Sequence, residues 1–255
     1  MIGITKNNKL CYNSLWWRKM IVIKDLKKSY GKNLVLKGIN LTVNEGDIYA
    51  FVGSNGAGKT TTIKAMLGIL PFDSGDVLYD KLSIKTDGLK IKEELAYIPD
   101  NPDIYEHLTG LEYLNFVADM YETSTEYRNK KIKEYAKELE IDTKLNDKIG
   151  SYSHGMKQKI VIISALIHDP KVIIMDEPFV GLDPISTHKL KEIMKKLTSE
   201  GKIIFFSTHV LDVAEKLCNK IAIIKNGTII AEGTMKEITK NSSLEDIFLE
   251  LVSNE

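Results

Sequence analysis

The chain has 255 residues, 43% of them hydrophobic, enough to bury a sizeable core as one large domain or one domain with an insertion. Its 35 basic and 35 acidic residues cancel, so no global field draws it to nucleic acid or to an anionic membrane, and any partner must be recognised locally. Cys11 and Cys218 lie far apart without metal-ligand spacing, which argues against a disulfide framework and suits a reducing cytosol.

Residues 1–19 contain Trp16-Trp17-Arg18-Lys19 but neither the continuous apolar core nor the small-residue cleavage site of a secretory signal. They read as a flexible N-terminal extension ahead of a clean strand that opens at Met20. Over residues 21–27 and 34–43, aliphatic and β-branched side chains alternate with polar ones, the pattern of half-buried antiparallel strands. Tyr30-Gly31 lies in the turn between them. An aromatic there can stack on a nucleotide base or be an ordinary surface tyrosine.

Residues 48–52 form a short apolar strand, and Gly53-Ser54-Asn55-Gly56-Ala57-Gly58-Lys59-Thr60-Thr61 follows at once, running into a helix that ends at Gly68. A glycine, any four residues, then Gly-Lys-Thr between strand and helix is the pattern of a loop that cradles phosphate. Its backbone N–H groups point inward and the helix adds its positive end. Lys59 is then expected to reach the β- and γ-phosphates of a nucleotide, and Thr60 to hold Mg²⁺ through its hydroxyl.

Residues 77–79 and 95–98 are further short strands, the second stopped by Pro99. Between residues 100 and 149 the pattern turns helical. Thr109-Gly110-Leu111-Glu112 is a capping box, Leu111, Leu114, Val117, Ala118 and Tyr121 share one face, and Ile132, Tyr135, Ala136 and Leu139 share another. Ser151-Tyr152-Ser153-His154-Gly155 then leads into an apolar helix, and a small-residue turn at a helix start is a second anion site. The apolar run 160–167 falls far short of the about 20 residues that span a bilayer.

From Lys171 the strand and helix alternation resumes. Val172-Ile173-Ile174-Met175 is a buried strand ending in Asp176-Glu177, with Asp176 placed for Mg²⁺ and Glu177 for orienting a water. Asp183-Pro184 caps a helix that ends at Gly201, residues 203–206 form the next strand, and a helix starts near Val210. Asn226-Gly227 then turns a hairpin.

This order of motifs resembles the ATP-binding subunits of ABC transporters from Met20 to the end. Tyr152-Ser153-His154-Gly155-Met156 is similar to their signature sequence, and the details are most similar to the bacterial drug-resistance, bacteriocin-immunity and Ecs-like export branch. The resemblance implies roles. Tyr30 stacks on the base, Gly181-Leu182-Asp183 touches a second subunit, and His209 senses the γ-phosphate. Ser153 and Gly155 of one subunit face the ATP held by Lys59 of the other. Two departures stand out. His154 replaces the signature's first glycine, and Asp100 stands where the family has a glutamine that bridges Mg²⁺ to the permease, so that Asp100 is either a metal-side carboxylate or a turn residue after Pro99.

The expectation is therefore an α/β fold, a P-loop NTPase (RecA-like) core with a mostly parallel sheet, an N-terminal antiparallel β-subdomain and an inserted α-helical subdomain at about 101–168. Residues 20–255 make one ATP-binding domain. The implied cofactors are ATP and Mg²⁺, and the implied partners are a separate transmembrane permease and a second copy of the chain in the ATP state, with no nucleic acid. The implied place is cytoplasmic, on the inner face of the membrane through the permease. The rival is a soluble ABC-type ATPase acting on ribosomes or DNA, which usually carries two such units in one chain or a long coiled-coil insertion. A GTP switch is disfavoured because no Asn-Lys-x-Asp motif occurs.

Overall fold

The computed structural model describes residues 20–240 and 242–253, so the expected extension at 1–19 lies outside the described residues. The chain opens with β1 (Met20–Tyr30), β2 (Asn33–Asn44) and β3 (Ile48–Val52), then α1 (Lys59–Met66), β4 (Ser74–Tyr79), β5 (Leu82–Ser83), α2 (Gly88–Glu93) and β6 (Leu95–Ile98). The helical stretch follows with α3 (Gly110–Met120), α4 (Thr125–Glu138) and α5 (His154–Leu166). The remainder alternates through β7 (Val172–Asp176), α6 (Pro184–Ser199), β8 (Ile203–Thr208), α7 (Leu211–Leu217), β9 (Lys220–Lys225) and β10 (Thr228–Thr234), closing on α8 (Met235–Thr239) and α9 (Leu244–Ser253).

Two sheets result. The larger has the order β10-β9-β3-β8-β7-β6, parallel throughout except for the β9–β10 hairpin. The smaller is antiparallel, in the order β2-β1-β4-β5. Runs such as Ile48–Val52 and Val172–Asp176 carry no alternation because both faces of the parallel sheet are covered. On one face Ala50, Val52, Ile173 and Ile204 meet α5 and α6 through Ile163, Leu190 and Ile193. On the other, Tyr49, Phe51, Ile174 and Phe205 meet Ile63 and Met66 of α1, with Ile21 and Ile23 of the small sheet beyond.

The helical stretch does not build a core of its own. Leu114, Ala118, Ile132, Tyr135 and Ala136 join the same apolar cluster as Ile173 and Ile204, with α5 as the shared wall. Thr109 makes the expected capping box with Glu112, and Asp183 caps α6 with Pro184 in its first turn. The Asn226-Gly227 turn has both residues at positive φ, as a two-residue hairpin needs.

Phe205 is fully buried and stacks on Tyr49 at a centroid distance of 5.6 Å. Phe205→Ala is expected to lower stability by about 3–5 kcal/mol in urea denaturation. A loss under about 1 kcal/mol would mean that the ring is not packed as described.

Candidate functional site

Parallel strands bring their carboxyl ends to one edge, and ligands of open α/β sheets bind outside that edge. Here β3 ends into the Gly53 loop, β7 into Asp176-Glu177, and its neighbour β8 into Ser207-Thr208-His209. The register pairs Asp176 with Ser207 and Val52 with Thr208, which sets the three motifs side by side.

Two glycines of the loop are required by space. A Cβ at Gly53 would stand 2.6 Å from the Ile224 carbonyl oxygen. Gly58, at φ +111, is the residue before α1, and a Cβ there would press on Leu36 at 2.8 Å. No side chain caps α1, so its first N–H groups face the loop's concavity. Lys59 is only 7% exposed, and its Nζ donates to the Gly53 carbonyl at 2.8 Å and the Ser54 carbonyl at 3.3 Å. Glu177 Oε1 completes its shell at 3.6 Å.

Glu177 is held from several sides. Its backbone N–H donates to the Ser207 carbonyl and to Ser207 Oγ, both at 3.2 Å. Its Oε2 accepts from the His209 N–H at 3.3 Å and lies 3.0 Å from His209 Nδ1. It also sits at φ +48, a strained conformation for a residue with a side chain, and strain of this kind collects at functional sites. Asp176 is 2% exposed and accepts a hydrogen bond from the Ser207 hydroxyl.

A polar cavity of about 190 Å³ joins these parts. Asn55, Gly56, Gly58, Lys59, Thr60 and Thr61 line one side and Asp100, Asp176 and Glu177 the other. Burial, then the charges of Asp176 and Glu177, push the Asp100 carboxyl up from its ordinary range. The structure thus gathers Lys59, Thr60, Asp100, Asp176, Glu177 and His209 at one edge. An uncapped helix start, a buried ammonium and clustered carboxylates beside a threonine hydroxyl are a donor set that fits a nucleotide polyphosphate with Mg²⁺.

Tyr30 and the signature turn stand apart from that cavity. Tyr30 ends β1, paired with Asn33, half exposed, with Lys28 Nζ 5.3 Å from its ring centre. Ser153 caps α5, its Oγ accepting from the Met156 N–H at 3.3 Å. Gly155 packs so closely that a Cβ would meet the Gly181 carbonyl at 2.6 Å. Lys159 reaches Asp183 at 3.3 Å, tying α5 to the start of α6. Ser207 and Lys159 were not singled out from sequence. A serine closing the apolar run 203–206 was the available signal for the first.

The fold and the gathered loop define a P-loop NTPase. The sequence pattern of the ABC transporter family matches residues 36–180. The chain is 34% identical over 241 residues to the ABC-type transporter ATP-binding protein EcsA of Bacillus subtilis, covering 92% of this chain and 98% of that protein. It is 35% identical over 219 residues to the linearmycin resistance ATP-binding protein LnrL of the same species, covering 86% and 70%. A solved structure described as the ATP binding subunit of an ABC transporter superposes with a TM-score of 0.87 at 33% identity, over 91% of this chain and 99% of that one. The chain belongs to the ABC transporter family as an ATP-binding subunit, and EcsA and the resistance protein LnrL are among the relatives that it resembles over most of its length. ATP-binding domains of this family are in general ATPases that bind ATP and normally require Mg²⁺.

Asp183 accepts from the Ser186 hydroxyl at 2.6 Å and the Ser186 N–H at 2.8 Å, and these bonds lower its carboxyl from 3.8 to about 2. A lowered folded value means stability that is present above the unfolded value and lost as pH falls through the folded one. Asp183→Ala should therefore cost about 1 kcal/mol near neutral pH. The difference from the parent should shrink steeply as pH falls from about 4 to about 2 in denaturant titrations. A difference that persists unchanged at pH 2 would refute the cap.

Proposed function

We propose that this chain hydrolyses ATP to power a separate membrane permease, as an exporter, from the cytoplasmic face. The observation that carries the reading is the single cluster of Lys59, Glu177 and His209, with Asp176 behind it. Lys59 aims its charge at the β- and γ-phosphates, while Gly53, Ser54, Asn55, Gly56, Ala57, Gly58, Thr60 and Thr61 wrap them with backbone N–H groups. Thr60 and Asp176 would hold Mg²⁺, with Asp100 near enough in the same cavity to act through water. When bound, Mg²⁺ supplies charge neutralisation at the phosphate oxygens.

Glu177 orients the attacking water with its carboxylate, and its left-handed backbone and Ser207 contacts fix where that carboxylate points. His209 steadies Glu177 and stands ready to meet the γ-phosphate. Tyr30 takes the base. Transition-state charge on the γ-phosphoryl group needs further donors, and the start of α5, with Ser153 and Gly155, is suited to supply them from a second copy of the chain.

Among the described residues no helix is long and apolar enough to cross a membrane, and in this reading the permease is a separate chain. Its docking face is the helical subdomain, residues 101–168 inserted in the ATP-binding domain 20–255. Tyr105 is 52% exposed, Phe116 43% and Met120 68%, while Leu114 beside them is buried. Met120 and Tyr121 also border a groove of about 750 Å³ whose other wall includes Leu89 of α2, 86% exposed. Exposed apolar patches of this kind mark docking surfaces.

Lys59→Ala is expected to abolish ATP binding, measured by calorimetric titration, and unchanged affinity in the folded variant would overturn the phosphate-loop reading. Glu177→Gln should bind ATP, hydrolyse it at least about a hundredfold more slowly, and accumulate as a dimer with ATP and Mg²⁺ in gel filtration. Normal turnover by a strictly monomeric Glu177→Gln chain would reject both the water-orienting role and the paired arrangement.

A further inference from the structure

Asp176 and Glu177 leave β7 one after the other, the first read toward Mg²⁺ and the second toward water, and both lean on Ser207 of the neighbouring strand β8. The parallel register puts Ser207 directly beside Asp176. Ser207 is fully buried, so its hydroxyl must find its partners within the protein. A hydroxyl has one proton to give and lone pairs with which to receive. Here the proton goes to Asp176 Oδ1, and a lone pair takes the Glu177 N–H at 3.2 Å.

Asp176 is 2% exposed, and a carboxylate so deeply placed is costly unless donors are aimed at it. The side-chain donor that the fold aims at it is the Ser207 hydroxyl. Carboxylates that ligate metals are themselves held by hydrogen bonds of this kind, and losing one costs metal affinity or activity. The same oxygen restrains Glu177. Its N–H is shared between Ser207 Oγ and the Ser207 carbonyl, each at 3.2 Å, at a residue with φ +48. Such a conformation persists only where its neighbours hold it. His209 grips the far end of Glu177, at Oε2, and Lys59 meets Oε1, whereas Ser207 holds the backbone. Of these three groups Ser207 is the one that touches both acids.

We infer that Ser207 is a positioning residue that sets the metal side and the water side of the site together: its proton orients Asp176 for Mg²⁺, its oxygen anchors Glu177, and removing the one hydroxyl loosens both. The inference rests on the reading of the cavity as a site for ATP and Mg²⁺. It adds to that reading a residue too deeply buried to meet either ligand itself.

The test uses the full chain as parent, Ser207→Ala and Ser207→Thr, with urea midpoints to check folding. Affinity for the non-hydrolysable β,γ-methylene analogue of ATP is measured by calorimetry in EDTA and again with Mg²⁺, so that each protein yields the gain in affinity that the metal brings. Steady-state hydrolysis at saturating Mg²⁺ gives kcat and KM. Ser207→Ala binds the metal-free analogue close to the parent, loses about tenfold or more of the Mg²⁺ gain, and shows kcat about tenfold or more lower even when Mg²⁺ is saturating. Ser207→Thr, which returns the hydroxyl, recovers most of both. A Ser207→Ala chain with the parent's Mg²⁺ gain and kcat overturns the inference, as does one weakened equally with and without Mg²⁺, which leaves Ser207 as strand packing. A Ser207→Thr chain that folds like the parent yet behaves like Ser207→Ala overturns it too. A parent chain whose affinity for the analogue does not rise with Mg²⁺ overturns the reading of the cavity, and the inference with it.

Discussion

An ammonium group that is nearly shut off from water must be surrounded by oxygen, and Lys59 is such a group. Its shell is made of the Gly53 and Ser54 carbonyls and the Glu177 carboxylate. Those oxygens come from two different strand ends, so holding one charge fixes the end of β3 relative to the end of β7. Glu177 is in turn braced by Ser207 and His209 from β8 and the residue after it. The central strands are adjacent in the sheet, and the charged contacts at their ends register them a second time. A site held this way is organised before any ligand arrives, which is the condition for strong electrostatic stabilisation of transferring phosphate.

That arrangement also explains the division of labour between the two faces of the large sheet. One face is closed by α1 and the small antiparallel sheet, which keeps the phosphate loop rigid: Leu36 of β2 fills the space that a Cβ at Gly58 would need. The other is closed by α5 and α6, and through α5 it is continuous with α3 and α4. The helix that begins at the signature turn is therefore packed on the strands that end in Asp176 and Thr208, with the Lys159 to Asp183 pair and the Gly155 to Gly181 contact as further ties. A shift of the helical stretch against the sheet would move the signature turn and the loop after Glu177 together.

Much of this was legible in the residues because the constraints are local. The strand of residues 48–52 and the hairpin at Asn226-Gly227 follow from burial on both faces and from turn chemistry, and both stand where the sequence places them. The phosphate-loop helix begins at Lys59 and ends before Gly68, at φ +61, as a helix closing on a glycine should. What stayed hidden was non-local. Nothing in the chain order says that β9 follows β3 in the sheet, or that Ser207 serves Asp176 and Glu177 at once. The lysine-rich α2, with only Ile91 buried, lacks the repeated apolar face by which a helix is recognised. The seating of His154 on Gly181 was equally out of reach, since it depends on the start of α5 meeting the loop after β7, 27 positions further along the chain.

The central claim is that nucleotide binds at the carboxyl edge of the parallel sheet, in the cradle built around Lys59. Hydrogen exchange followed by mass spectrometry, with and without MgATP, reads this position directly. The account predicts that MgATP slows exchange in the segment 53–61 and at the strand end 176–177, while the opposite edge, at Leu95, Val172 and Ile203, exchanges as before. Unchanged exchange across 53–61 in protein saturated with MgATP, or protection confined to the opposite edge, would contradict it.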